Sequence, residues 1–325
     1  MIPILALVGP TASGKTALAI ELARRLDTEI ISADSMQFYK GMEIGTAAPT
    51  REEQARAKHH FVSFLDPGEQ MAAGEFERLA RKVIADLNAR GKIAVVVGGS
   101  GLYISALVDG LFQGPKRHPA IRERLKAEAR ECGNAHLMDR LRRLDPDYAD
   151  SLTSENDLVR IVRALEVYEI TGQPFSRLHQ EHRVQAEPLD ALFVALDWER
   201  EALYERITRR VDEMVQLGWV EEVSILIGHG YGPHIDRLKA LGYREIAAYL
   251  RGEKTLDEAV EATKMHHRRY AKRQLTWFRG DERIHWLPAT PGGSATASID
   301  QILILINTNQ QKTIKKPRLQ PRTGS

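Results

Sequence analysis

The sequence predicts an α/β protein: a parallel sheet wound on both faces by helices and interrupted by a helical insertion. Three features carry this reading. Apolar runs without polar alternation occupy Ile2–Val8, Glu29–Ala33 and Lys92–Val97, with Leu192–Leu196 a fourth candidate, and such runs suit strands covered on both faces. A turn and a helical pattern follow each run, as in a doubly wound sheet. The stretch from about Gly114 to Pro188 has no strand run and is rich in Arg, Glu, Leu and Ala at helical spacing. The division expected is a discontinuous core (1–113 and 189–310), an inserted helical domain (114–188) and a basic, disordered tail (311–325).

Composition narrows the classes. At 325 residues, 43% hydrophobic and 28% charged, the chain reads as a soluble globular protein of about two domains. Its one cysteine, Cys132, excludes an intramolecular disulfide framework and any zinc site built on several thiolates. The longest apolar runs, Ile93–Val97 and Ile302–Ile306, are too short to span a bilayer. Ile2–Val8 lacks a basic flank and reads as a strand rather than a signal peptide. The expectation is a cytoplasmic monomer with no membrane segment. Net charge is +2, but Lys312, Lys315, Lys316, Arg318 and Arg322 lie in the tail; without them 41 basic residues face 44 acidic ones. Any nucleic-acid surface must therefore be local.

The first strand runs into Gly9-Pro10-Thr11-Ala12-Ser13-Gly14-Lys15-Thr16, with a helix expected over Ala17–Leu26. This is G-x-x-x-x-G-K-[ST] in its proper strand–loop–helix setting, so the core is P-loop NTPase-like. The backbone curls until its N–H groups point inward, the helix N-terminus adds its dipole, Lys15 brings charge and Thr16 can ligate Mg²⁺. The loop says phosphate without saying whose, because a nucleotide and an alkyl diphosphate present the same oxygens.

The second strand delivers Asp34 to the same sheet edge, where ligands of open parallel sheets bind. Position alone leaves three roles open: a metal ligand through water, a cap for the next helix, or a general base. The third strand delivers Gly98-Gly99-Ser100-Gly101, whose glycines permit close approach of a sugar or base. Beyond Asp197, helices are expected over Arg200–Leu217, Glu221–Gly228, Leu256–Phe278 and Ile299–Ile306. Arg206 and Arg210 lie four apart on one helix face; the plain alternative is a solvated face paired with Glu205, Asp212 or Glu213. Arg160 and Arg163 stand opposite an apolar stripe of Leu158, Ile161, Val162 and Leu165, with Glu155 and Glu166 near enough for ordinary salt bridges. Lys264–Arg279 holds Lys264, Arg268, Arg269, Lys272, Arg273 and Arg279 with no acid, interleaved with Tyr270, Trp277 and Phe278. That mixture suits RNA contact, or a core face with cations outside it. His59-His60 and His266-His267 are expected to be structural or RNA-facing rather than zinc ligands.

Several collinear blocks resemble the tRNA dimethylallyltransferase family, the adenosine isopentenyltransferases. They are Gly9–Thr16, Ile31–Ala47, His59-His60, Val97–Tyr103, Arg160–Glu166, Leu241–Glu245 and Tyr270–Arg279, spanning about residues 3–280. The resemblance implies transfer of a dimethylallyl group from dimethylallyl diphosphate to N6 of the adenosine 3′ to the anticodon, in tRNAs reading codons that begin with U. It recasts Gly9–Thr16 as a diphosphate cradle with Mg²⁺ on Thr16 as the implied cofactor. Lys15 would neutralise the leaving group, Thr11 would lie near its bridging oxygen, Arg210 would bind it, and Asp34 would take the N6 proton. The tRNA anticodon stem-loop would meet Asp34, Ser35, Met36, Gln37, Ser100, Arg122, the segment Val159, Arg160, Ile161, Val162 and Arg163, then Gly242, Tyr243 and Arg244 within Lys239–Glu245, and Lys272 and Arg273. Ser100 stands where the family often has Thr, a like donor. Ala48 stands where it often has Lys, so a charge contact is missing or supplied elsewhere. Two rivals fit the loop alone: a small-molecule or nucleoside kinase using ATP, and a non-catalytic RNA-binding adaptor.

Overall fold

A computed structural model describes residues 4–112, 114–152, 154–185, 188–293 and 295–315. In chain order the elements are β1 (Ile4–Val8), α1 (Lys15–Arg25), β2 (Ile30–Ser32), α2 (Arg51–Arg56), β3 (His59–His60), α3 (Ala73–Ala89), β4 (Val95–Gly98) and α4 (Gly101–Asp109). Five helices follow: α5 (Pro119–Cys132), α6 (Asn134–Leu144), α7 (Pro146–Ser151), α8 (Leu158–Thr171) and α9 (Phe175–Gln185). The chain then continues through β5 (Ala191–Trp198), α10 (Arg200–Gln216), α11 (Trp219–Gly228), α12 (Gly232–Leu238), α13 (Tyr243–Leu250), α14 (Leu256–Arg279), β6 (Ile284–Ala289) and α15 (Ala295–Lys315).

The six strands form one parallel sheet in the order β3-β2-β4-β1-β5-β6. The apolar runs forecast its four central strands because those strands are buried on both faces. On β1, Ile4, Ala6 and Val8 join one core cluster, with Phe76, Val96 and Trp219, while Leu5 and Leu7 join another with Leu22 of α1 and Ile302 of α15. The outer strands carried no such signal. β3 is two histidines long, and β6 buries only Ile284 and Leu287 of its six residues.

The chain divides into two compact units, Met1–Val108 with the residues from Leu189 onward, and Asp109–Pro188. The second unit has its own core, built from residues such as Leu125, Leu137, Leu141, Ile161 and Leu165. Two boundaries need correction. Helix α1 begins at Lys15, inside the phosphate loop, and α15 runs to Lys315, well beyond Ile299–Ile306 and into the segment read as tail. Ile299, Ile302 and Ile306 are its buried stripe. The expectation of disorder for 316–325 falls outside the described residues, as does the start of the first expected strand. Among the described residues no helix is long and apolar enough to cross a membrane.

Candidate active site

Val8 ends β1 level with Gly98, which ends β4, and pairs on its other side with Ala195 within β5, so the loops after β1, β2 and β4 meet at one sheet edge where strand order reverses. Between β1 and α1 the backbone takes the curl its glycines allow: Gly9 has φ 131° and Gly14, the N-cap of α1, φ 97°. Ala12 holds φ 61° without being glycine, a conformation that costs energy and needs outside support. Support comes from the far end of the fold. Arg206 Nε of α10 donates to the Ala12 carbonyl at 2.8 Å, and Trp198 Nε1 donates to the Ser13 carbonyl at 2.9 Å. The Arg206 guanidinium stacks on the Trp198 ring, 4.4 Å from its centroid. Arg206 therefore braces the loop from behind, and is neither a solvated residue nor a second cation in the crevice.

Two joined cavities open at the sheet edge. The smaller, of about 40 Å³, is lined by Thr11, Lys15, Thr16, Asp34, Gln37 and Arg210 among others. The larger, of about 260 Å³, shares Thr11, Asp34 and Thr46 with it and adds Ser35, Met36, Leu241, His267, Tyr270 and Arg273. Asp34 thus stands where a compact cationic compartment meets a roomier, mixed one. Its Oδ1 accepts from the Met36 N–H at 3.1 Å, so the capping role is realised on a turn rather than a helix.

The charges in the smaller compartment perturb one another. Burial drives the Lys15 ammonium down to about 7, with Asp34 opposing the shift and Arg210 adding to it. Burial raises the Asp34 carboxyl, against the Met36 N–H, Lys15 and Arg210. Burial also lowers Arg210, which Asp34 opposes. Perturbed groups of both signs converging on a cleft are the mark of a functional site. Lys15 Nζ donates to the Pro10 carbonyl and Ser13 Oγ. Arg210 Nη2 reaches the Ala47 carbonyl at 3.5 Å, next to Ala48, so a guanidinium serves the stretch from which a lysine was missing.

Around this centre Ser35 donates its N–H to Ser100 Oγ at 3.2 Å, and Gln37 Nε2 donates to the Ala47 carbonyl at 3.1 Å. Burial and Asp34 raise the Tyr270 phenol to about 12, against the neighbouring Ser100, Arg273 and Gln274 side chains. His267 Nδ1 lies 3.0 Å from the Thr263 carbonyl. That ring nitrogen must carry the proton, which leaves Nε2 an acceptor.

Other expected contact residues are reassigned by burial and pairing. Ile161 and Val162 are buried in the insertion's core, so their side chains cannot meet a ligand; Val159 and Arg160 of that segment are exposed. Arg122 Nε and Arg163 Nη1 both bind Glu166, at 2.9 and 2.7 Å. Burial would raise that carboxyl, but the bonds from Arg122, the His118 N–H and Arg163 hold it at about 2, so both guanidinium groups brace the insertion through Glu166. Arg160 pairs with Asp157 at 3.4 Å. Tyr243 is fully buried, its hydroxyl 2.7 Å from Glu222; it shapes the large cavity from behind. Arg244 is exposed beside Asp236.

On α14 the cationic run is thinner than its composition. Lys264 is buried between Asp212 and Glu261, and Arg279 binds Asp197. Lys272 and Arg273 remain exposed. Among the histidines, His60 meets Glu29 at 2.6 Å and His266 meets Glu245 at 2.9 Å. Sequence reading assigned no role to Glu222, whose signal was an acid within the apolar helix α11. Gln274 went unassigned too, since nothing local marks a glutamine as buried.

Residues 37–281 match the model of a family described as IPP transferase. The chain is similar to tRNA dimethylallyltransferase 1 of Pelobacter propionicus, 47% identical over 284 residues, covering 87% of this chain and 92% of the relative. It resembles the solved full-length tRNA isopentenylpyrophosphate transferase of Bacillus halodurans, with a TM-score of 0.71, 36% identity and coverage of 97% and 99%. It also resembles a eukaryotic dimethylallyltransferase solved acting on tRNA, with a TM-score of 0.79, 27% identity and coverage of 99% and 82%.

Proposed function

The chain belongs to the IPP transferase family, and from that premise we propose that it transfers a dimethylallyl group from dimethylallyl diphosphate to N6 of the adenosine 3′ to the anticodon, in tRNAs reading codons that begin with U. One observation carries the reading: Asp34 lies at the junction of the cationic compartment and the larger cavity. A diphosphate in the first and a flipped base in the second would bring nucleophile, electrophile and base together.

An exocyclic adenine amine is a poor nucleophile, because its lone pair is delocalised into the ring. Asp34, ionised, accepts a proton from N6 as the N6–C1 bond forms and the C1–oxygen bond to diphosphate breaks. General-base assistance of this kind is worth about 10²–10⁴-fold. Allylic delocalisation spreads the positive charge at C1, so the larger task is receiving the departing anion. Lys15, Arg210 and the N–H groups of the loop from Ala12 to Thr16 are preorganised for that task. The target base must leave its stack to reach Asp34, and RNA seated over the larger cavity would keep water from the allylic centre.

Magnesium suits this compartment. Thr16 and Asp34 both line it and offer hard oxygen donors, and Mg²⁺ commonly takes one or two protein ligands with substrate phosphates and waters. Among the described residues no group of three or more His, Cys, Asp and Glu forms a fuller cage. When bound, the ion neutralises diphosphate charge. The RNA surface proposed on the core comprises Ser35, Met36, Gln37 and Ser100, the exposed part of Lys239–Arg244, Lys272 and Arg273; on the insertion, taken by itself, Val159 and Arg160 are the exposed residues proposed to meet RNA. The proposed setting is the cytoplasm, where tRNA is used, with the protein acting as a monomer.

The test is direct. The protein is incubated with unmodified tRNA, Mg²⁺ and labelled dimethylallyl diphosphate, and separately with ATP labelled on its terminal phosphate. Label on tRNA from the first alone is expected. Phosphoryl transfer from ATP would replace the reading with a kinase, and neither reaction with an RNA-binding adaptor.

A further inference from the structure

Gln274 lies on α14 one residue past the exposed pair Lys272 and Arg273, yet is itself only 5% exposed. Its amide joins two loops that the chain separates widely. Oε1 accepts the Thr11 N–H at 2.9 Å, and Nε2 donates to the Gly99 carbonyl at 2.9 Å. Only a group that accepts and donates from one planar head can serve both partners; among charged side chains, lysine and arginine cannot accept, and an ionised carboxylate cannot donate.

The seat is made to fit. A Cβ on Gly99 would lie 2.2 Å from Gln274 Nε2, and one on Gly101 would lie 2.3 Å from Trp277 Nε1. Two side chains three residues apart on α14 thus press on the loop after β4, and the first of them also fixes Thr11. Thr11 lines both cavities, and its backbone opens the turn that ends in Lys15 and Thr16.

We propose that Gln274 is a positioning residue through which α14 sets the diphosphate cradle: by clamping Thr11 and Gly99 together it fixes where the leaving group rests. The proposal rests on the reading of the loop as a diphosphate site. It concerns geometry, and assigns Gln274 no contact with the reacting atoms.

Inorganic pyrophosphate with Mg²⁺ is the probe, titrated into the full chain, with the Kd of an anticodon stem-loop RNA measured in parallel. In Gln274→Leu the pyrophosphate Kd is expected to rise about tenfold, the scale of one to two hydrogen bonds, and the KM for dimethylallyl diphosphate should rise with it. The RNA Kd should change less than about twofold, because Lys272 and Arg273 remain. Gln274→Glu separates clamping from packing. Ionised, it sets a carboxylate oxygen against the Gly99 carbonyl; protonated, it regains the donor. Its pyrophosphate affinity relative to wild type at each pH should therefore recover as pH falls. Wild-type affinity in Gln274→Leu, or a pH-independent deficit in Gln274→Glu, would overturn the proposal, and the near-isosteric glutamate variant decides if the leucine variant does not fold. A wild-type protein that binds pyrophosphate but transfers no dimethylallyl group would sink the proposed function while leaving the clamp measurable.

Discussion

Glu222 of α11 accepts the Gly45 N–H at 3.0 Å, and with its other oxygen the Ile44 N–H at 2.7 Å. The Tyr243 hydroxyl, 2.7 Å from Oε1, closes the arrangement from α13. One buried carboxylate thereby ties the 42–47 loop, which contributes Gly45 and Thr46 to the large cavity, to the helices behind it. Each oxygen takes one backbone N–H, while the Tyr243 hydroxyl is shared with the Met42 carbonyl at 2.9 Å, so the position needs an acceptor at both oxygens. Glu222→Gln turns an NH₂ toward one of those donors and should lower unfolding free energy by about 2 kcal/mol in urea titrations. A change under about 0.5 kcal/mol, the scale of an ordinary surface substitution, would mean the network is not stabilising.

Asp34→Ala removes the proposed base and leaves the RNA surface intact. Single-turnover rates should fall about 10²–10⁴-fold, with tRNA binding by filter assay unchanged. Undiminished turnover would take Asp34 out of the chemistry.

The pH profile follows from two opposed shifts. Asp34 must be ionised to work, and burial raises its carboxyl, so activity is lost as pH falls through that raised value. Lys15 must be protonated, and burial brings it down to about 7, so the free enzyme loses that charge as pH rises through about 7. A bell-shaped kcat/KM for dimethylallyl diphosphate is expected, with its alkaline limb near neutrality. Arginine does not deprotonate in this range, so Lys15→Arg should move that limb upward even if the maximum drops; a limb that stays put would clear Lys15 of responsibility.

Lys272 and Arg273 are exposed on α14, and Arg273 lines the larger cavity. Replacing both with Ala should weaken tRNA binding and reduce the slope of log K against log salt by about 1.4 to 1.8, the release expected for two phosphate contacts. The slope, measured between low and physiological salt, is the discriminating quantity, and an unaltered one would move RNA binding elsewhere.

Gly242 combines φ 83° with a wall: a Cβ there would sit 2.0 Å from the Trp219 ring. Gly252 has φ 74° and open space. Gly252→Ala should cost about 1–2 kcal/mol from backbone conformation alone, and Gly242→Ala about 1–3 kcal/mol more through overpacking against Trp219. Thermal unfolding of the two variants gives the difference directly; equal losses would show that Trp219 yields.

Some of the site was readable because its signals are local. The loop Gly9–Thr16 is contiguous, and the central strands are dense apolar runs whose ends deliver Asp34 and Ser100 to one edge. Other roles depended on partners far along the chain. Arg206 and Arg210 looked alike, four residues apart on one helix, yet one braces Ala12 from behind and the other enters the cationic compartment. Arg122 of α5 and Arg163 of α8 share one buried partner, Glu166, a pairing that spacing on one helix suggests for Arg163 alone. Lys264 and Arg279 left the cationic stripe for the same reason: an opposite charge brought up by another element.

The amino-acid order by itself settled the sheet's central strands, the phosphate loop and the family, because each is written in neighbouring residues whose spacing fixes backbone shape. Which cations stay available, which glycine faces an indole and which amide ties Thr11 to Gly99 were decided only when the chain closed. Those outcomes rest on contacts between elements tens to hundreds of residues apart, where burial sets whether a polar group finds a partner.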